Sequence, residues 1–205
     1  LFINFLKDFK FTFNVGTTVN EIRYYTTTNP YYGFGAEQNG TVTMYHYRTT
    51  TLNLQQILNY SHNFGKHNIS VMLGHESYKY NYAELSASKK NMFSYWGNHE
   101  LNGAVIDGSS AASYSNDYNT EGYFFRALYD YDAKYYFSAS YRRDASSRFH
   151  PDHWWGNFYS VGGAYLMSKE DWFDVKWIDM LKIKFSIGQQ GNDNIGSYNY
   201  TDRYN

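Results

Sequence analysis

Apolar and polar residues alternate with a period of two along most of this chain. Phe9, Phe11, Phe13 and Val15 interleave with Lys10, Thr12, Asn14 and Gly16. That spacing sends one set of side chains to each face of an extended strand and is incompatible with a 3.6-residue helical face. The pattern recurs. Leu52, Leu54, Leu58, Tyr60 and Phe64 alternate with Thr51, Asn53, Gln55, Asn59 and Ser61, and Ile69, Val71 and Leu73 open a strand running to about Tyr82. Tyr123, Phe125, Ala127 and Tyr129 form another, followed by Tyr135, Phe137, Ala139 and Tyr141 interleaved with Ser138, Ser140 and Arg142. Tyr159, Val161, Gly163 and Tyr165, then Leu181, Ile183, Phe185 and Ile187, continue it, and a last strand starts near Tyr198. The reading is all-β: an antiparallel up-and-down meander of about eight strands.

The connections alternate in length. Short turns are expected at 6–8, 65–67 and 130–134, and a longer one at 168–179 with one helical turn capped by Ser168, given Asp171 three positions on. Long polar segments rich in Gly, Ser, Asn, Asp and Tyr lie at 18–47, 83–119, 144–157 and 189–197, a composition that suits loops. Short turns on one side and long loops on the other is the arrangement of a transmembrane β-barrel wall.

Composition narrows the class further. Tyr 24, Phe 15 and Trp 5 give 21% aromatic residues against 18% charged. The formal net charge of −1 gives no electrostatic reason to expect nucleic acid. With Cys 0, thiolate catalysis and cysteine metal sites are excluded. The apolar content is too high for disorder. No apolar run approaches the ~18 residues of a membrane helix, and the mean hydropathy is −0.67. A membrane barrel survives these exclusions because half of each strand is polar. Tyr78, Tyr80, Tyr82, Tyr131, Tyr135 and Tyr136 fall near expected strand ends, where amphipathic rings collect at a membrane–water boundary.

Residues 141–149 read YRRDASSRF, followed by HPDHWWGNFYSVGGAY to position 165 and GQQGNDNIGSY at 188–198. With EGYFFR at 121–126 and DYDAKYYFSASY at 130–141, these runs resemble the SusC/RagA family of TonB-linked outer-membrane transporters. The first 120 residues, including TTTLNLQQILNYSHNFGKHNISVMLGHESY, resemble the same family's mid-barrel region less distinctively. Ala145 stands where the family usually has Gly, Trp155 where a basic residue is common, and Tyr165-Leu166 where Trp-Arg is common. The resemblance implies a large barrel of about 22 strands with a plugged lumen. It implies import of oligosaccharides or peptides driven through TonB, a SusD-like surface lipoprotein as cap, lipid around the wall and no enzymatic activity. The expectation is that residues 1–205 form a single internal stretch of that barrel domain, without plug or signal peptide. Alone, such a stretch is expected to form an open curved sheet and to transport nothing. Two rivals are a complete eight-stranded outer-membrane barrel and a soluble, aromatic-rich carbohydrate-binding sandwich using Trp96, Trp154 and Trp155.

Several local groups invite a chemical reading. His150-Pro151-Asp152-His153 pairs two imidazoles with a carboxylate, but a Pro-containing loop does not make them converge as metal ligands. Asn192, Asp193 and Asn194 lack the ligand spacing of a calcium loop and suit an Asx turn. Ser146-Ser147 near His150 and Asp144 is not a triad without geometry. Arg142, Arg143, Asp144 and Arg148 read as a mutually paired charged rim where strand becomes loop. No catalytic, metal, cofactor or substrate residue is nominated.

Overall fold

In the computed structural model, residues 1–97 and 99–196 are described, with backbone alone at 107–109. The strand anticipated near Tyr198 lies outside them. Eight strands run β1 Phe2–Phe5, β2 Phe9–Thr28, β3 Thr41–Phe64, β4 His67–Met92, β5 Ala104–Tyr131, β6 Tyr135–Ser146, β7 Trp155–Leu166 and β8 Lys182–Gly188. They form one sheet in sequence order, with antiparallel pairing at β1–β2 and from β5 to β8. The meander is as expected. The order ends on β1 and β8 without pairing them, so among the described residues there is neither a closed eight-stranded barrel nor the two packed sheets of a sandwich.

The strands are longer than the sequence suggests. The connections expected at 18–47, 83–119 and 144–157 shrink to 29–40, 93–103 and 147–154. Polar side chains hold the added strand length by pairing across it: Thr28 with Thr41 (Oγ1···Oγ1 2.8 Å), Thr43 with Ser88 (3.0 Å), and Asn81 with Asp117 (2.6 Å). Tyr78, Tyr80 and Tyr82 therefore sit well inside β4 and not at a strand end, while Tyr131, Tyr135 and Tyr136 flank the β5–β6 turn as expected. Leu181 precedes β8. Ser168 caps no helix; it lies within a 3₁₀ turn, Met167–Lys169, entered from Leu166.

The chain divides into two compact units. The first comprises Leu1–Gly16, Asn53–Lys79 and the chain from Tyr118 onward; the second comprises Thr17–Leu52 and Tyr80–Asp117. The second has a small core in which Val42, Met92 and Ala104 are buried and Leu101 packs against them. The 29–40 and 93–103 connections are tied together beside this core, since Asn91 N donates to Gly40 O (3.0 Å) and Phe93 N to Gly103 O (2.9 Å). One face of the same unit carries a tyrosine ladder, with Tyr24 4.7 Å from Tyr45, Tyr47 6.2 Å from Tyr82 and Tyr82 6.2 Å from Tyr114.

In the first unit, register separates the side chains into two faces. Tyr129, Phe137, Gly163 and Phe185 are successive partners across β5 to β8, as are Ala127, Ala139, Val161 and Ile187. Between them run Leu128, Ser138, Gly162 and Ser186, and Arg126, Ser140, Ser160 and Gly188. Phe137 and Arg142 thus point to opposite faces, as the alternation requires. On the remaining strands, Phe9 against Tyr60 lies on the apolar face and Asn14 bonded to Gln55 on the polar one.

The three-residue β5–β6 turn, with Lys134 N donating to Tyr131 O (3.0 Å), places Asp132 and Ala133 at φ 54° and 51°, in the left-handed region. An alanine there carries a Cβ penalty that glycine lacks. Ala133→Gly is expected to raise the unfolding free energy of the full-length receptor by about 0.5–1 kcal/mol, read from urea titration in bilayers.

Candidate functional site

Two of the motif runs read in the sequence, 141–149 and 188–198, meet Tyr118 of β5 on the polar face. Asp193, in the connection after β8, accepts hydrogen bonds at Oδ2 from the Tyr118 hydroxyl of β5 (2.5 Å) and from Ser146 Oγ at the end of β6 (2.9 Å). Arg148 Nη1 donates to the Asp193 backbone carbonyl (3.0 Å), with its guanidinium 4.2 Å from the centre of the Tyr118 ring. Ser146 is 6% exposed, so its hydroxyl depends on this partner. Burial pushes the Asp193 carboxyl up, but the Tyr118 and Ser146 hydroxyls and then Arg148 outweigh it, leaving the carboxyl below its ordinary value. Asn194 N donates to Asn192 Oδ1 (2.9 Å), the Asx turn that presents Asp193. Ser147 is spent on Asn119: each backbone N–H is 3.0 Å from an oxygen of the other residue. The cluster is a clasp.

Beside it runs a line of polar contacts across the strands. Asn14 donates to Gln55 Oε1 (3.0 Å), and Gln55 to Glu76 Oε2 (3.2 Å). Arg142 Nη2 lies 3.8 Å from Glu76, and Arg142 Nε is 2.7 Å from both oxygens of Asp144. A cavity of about 720 Å³ opens here, lined among others by Glu76, Tyr118, Arg142, Asp144, Trp154 and Asp193. The charged rim expected as one paired group is instead divided. Arg142 and Asp144 pair on the polar face, Arg148 joins the clasp, and Arg143 faces the other way, 5.1 Å over the Trp155 ring. Consecutive strand residues cannot share a face, which is the physical reason.

The apolar face is bounded by two rows. The row nearest the short turns is aromatic, running from Phe5 to Phe9 (5.4 Å), then through Tyr60, His62, Phe64 and His67 to Tyr131 (4.9 Å from His67). Tyr135 and Tyr165 continue it, stacked at 4.9 Å. Their hydroxyls donate to Glu170 Oε1 (2.8 and 3.1 Å) while Lys134 Nζ donates to Oε2 (3.1 Å). Tyr135, and then Lys134, hold the Glu170 carboxyl below its usual range. Periodicity marked the tyrosines of this row but not His62 and His67, which carry no strand-end signature of their own.

The second row is polar and also in register. His75 Nδ1 is 2.8 Å from Gln56 Oε1, and the His75 ring stacks on Tyr123 at 4.8 Å. Tyr123 is the partner of Arg143, and Arg143 of Asn157. Between the rows lie the exposed rings of Phe137 (56%) and Phe185 (68%), on either side of Gly163, with the Ala127, Ala139, Val161 and Ile187 row beside them. Tyr135 to Arg143 is eight residues on β6, which at ~3.4 Å each and a tilt of ~40° rises about 21 Å, close to the ~25 Å apolar band of an outer-membrane barrel.

The imidazoles at 150 and 153 serve a turn. Pro151–His153 is a 3₁₀ turn in which Asp152 N donates to His150 Nδ1 (3.2 Å), and the two rings are 6.3 Å apart. Trp154 Nε1 donates to Phe149 O (2.9 Å), and Trp155 is the first residue of β7. Trp96 meets Tyr95 edge-on at 5.3 Å in the 93–103 connection.

No family model matches the chain. It is 30% identical to TonB-dependent receptor P3 of Formosa agariphila over 197 residues, 93% of this chain and 19% of that protein. It is 26% identical to TonB-dependent receptor SusC of Bacteroides thetaiotaomicron over 182 residues, 88% of this chain and 17% of that protein. The structure of the RagAB peptide transporter superimposes on 97% of the chain with a TM-score of 0.87 at 26% identity. The chain is SusC/RagA-like. It spans less than a quarter of the length of these relatives. Proteins of this kind are outer-membrane β-barrels, and the SusC/RagA-like sheet, with its alternating faces and sequential hairpins, is barrel wall of that membrane. The names of the relatives describe receptors and a transporter, not enzymes.

Proposed function

We propose that the chain forms part of the barrel domain of a TonB-dependent importer of oligosaccharides or peptides, with its apolar face on lipid and its polar face on the lumen. The observation that carries this reading is the registered apolar belt, bounded on one side by aromatic rings and on the other by polar groups. A soluble sheet has no reason to confine its exposed apolar residues to a band of bilayer height. The clasp and the Asn14–Gln55–Glu76 line stiffen the lumen side, and a SusD-like surface lipoprotein and TonB act on the receptor as a whole. The whole domain assignment of residues 1–205 rests on the same argument.

Uptake is the test of function. Cells expressing the full-length receptor should accumulate labelled oligosaccharide or peptide only when TonB is present, and cells lacking the receptor should not. Uptake of neither class would refute the importer reading. Sidedness is tested separately. The connections 93–103 and 147–154 are expected outside the cell and the 65–66 turn in the periplasm. Protease on intact cells should therefore cut within the first pair, and cleavage at 65–66 would reverse the orientation.

A further inference from the structure

Arg143 is a guanidinium on the apolar face. Its neighbours across the sheet are Tyr123 and Asn157, and its cationic carbon lies 5.1 Å from the centre of the Trp155 ring. Among the described residues no carboxylate comes within ion-pair reach of it. Glu121, two residues before Tyr123 and on the same face, is engaged on its β4 side: it accepts from the Tyr123 hydroxyl (2.8 Å) and sits 3.3 Å from His75 Nε2 on β4. Arg142, one residue earlier, has Asp144 and Glu76; Arg148 has the Asp193 carbonyl. Among the described residues, Arg143 is thus the cation of β6 without a carboxylate partner.

Its height on the sheet says where a counter-charge lies. Arg143 belongs to the polar row that closes the belt, about 21 Å along the membrane normal from the aromatic row. A charge on the lipid face is expensive at mid-bilayer and nearly free at the boundary, where phosphates lie. The planar fork of arginine matches two oxygens of a phosphate, and the Trp155 and Tyr123 rings, stacked at 6.0 Å, offer an amphipathic flank for the first part of an acyl chain. We infer that Arg143, Trp155 and Tyr123 form an outward-facing site for the phosphate headgroup of an anionic membrane lipid. This rests on the lipid-facing reading above.

The test uses the full-length receptor in detergent, titrated with phosphatidylglycerol or phosphatidylcholine and read by native mass spectrometry. The wild type should hold at least one phosphatidylglycerol in preference to phosphatidylcholine. Arg143→Gln should lose that molecule, with about a tenfold fall in affinity, and Arg143→Lys should keep part of it. Absence of any preference in the wild type overturns the site whatever the variants do. So does equal binding by wild type and Arg143→Gln, or occupation by inorganic phosphate in place of the lipid. Nitroxide labels at Phe137 and Val161 separate the two hypotheses. If they are accessible to oxygen and shielded from a water-soluble nickel reagent while the lipid result is negative, only the headgroup site fails. If the labels themselves face water, the lipid-facing reading falls first.

Discussion

Ala139→Arg is expected to destabilise the full-length receptor in bilayers by about 2–4 kcal/mol, the cost of a cation near the middle of the lipid face. Ala139 lies between Ala127 and Val161 in the belt, halfway between Tyr135 and Arg143 on β6. Ser140→Arg, the next residue, turns its charge to the polar face. It should cost no more than about 1 kcal/mol, chiefly the lost hydrogen bond between the Ser140 and Ser160 hydroxyls (2.7 Å). Urea titration of both variants reads the difference. Equal losses at positions 139 and 140 would mean that the two faces do not see different solvents, and the barrel-wall assignment would fall with that result.

The second large effect concerns the clasp. Asp193→Ala leaves the buried Ser146 hydroxyl and the Tyr118 hydroxyl without their shared acceptor, which costs about 1–3 kcal/mol where such a group stays dry. Because 1.4 kcal/mol is a factor of ten, amide exchange across 189–196 should accelerate about tenfold while β6 and β7 keep their protection. Acid should do the same to the wild type. The Asp193 carboxyl titrates below its ordinary value in the folded protein, so its stabilising effect is complete above that ordinary value, ~3.9, and disappears as pH falls through the lower folded one. Exchange in 189–196 should be insensitive to pH near neutrality, once corrected for intrinsic rates, and should rise only below about pH 4. In Asp193→Ala that acid step should vanish. An acid step that persists in the variant would assign it to another carboxylate.

Strand identity was legible in the sequence wherever one face is apolar. On β6, β7 and β8 the alternation of Phe137, Ala139 and Tyr141, of Tyr159 and Val161, and of Ile183, Phe185 and Ile187 marks both the strand and its orientation. Strand length was not. Residues 18–28, 41–47, 83–92 and 104–119 are Thr-, Ser-, Asn- and Tyr-rich on both faces and read as loop. What makes them strand is a neighbour, as where Thr28 meets Thr41 and Thr43 meets Ser88. A polar segment earns extended structure from its partner's backbone, and no partner is written into its own composition.

The charged residues show the same division. Local sequence brought Arg142, Arg143, Asp144 and Arg148 into one group because they are adjacent in the chain. Strand geometry sends the first two to opposite sides of the sheet, where one meets carboxylates and the other an aromatic ring.

By itself, then, the sequence determined the period, the assignment of the central β6–β8 residues to an apolar or a polar face, and the places of the tight turns, read at 6–8, 65–67 and 130–134 and found at 6–8, 65–66 and 132–134. These follow from covalent geometry, since successive side chains on a strand must alternate and a hairpin needs its turn. Tertiary structure alone decided the clasp, in which Tyr118 and Ser146 reach Asp193 across 75 and 47 positions of chain. It also decided the two rows that bound the belt. Both depend on the register between strands, a sum of hydrogen-bond pairings that no single strand carries in its own residues.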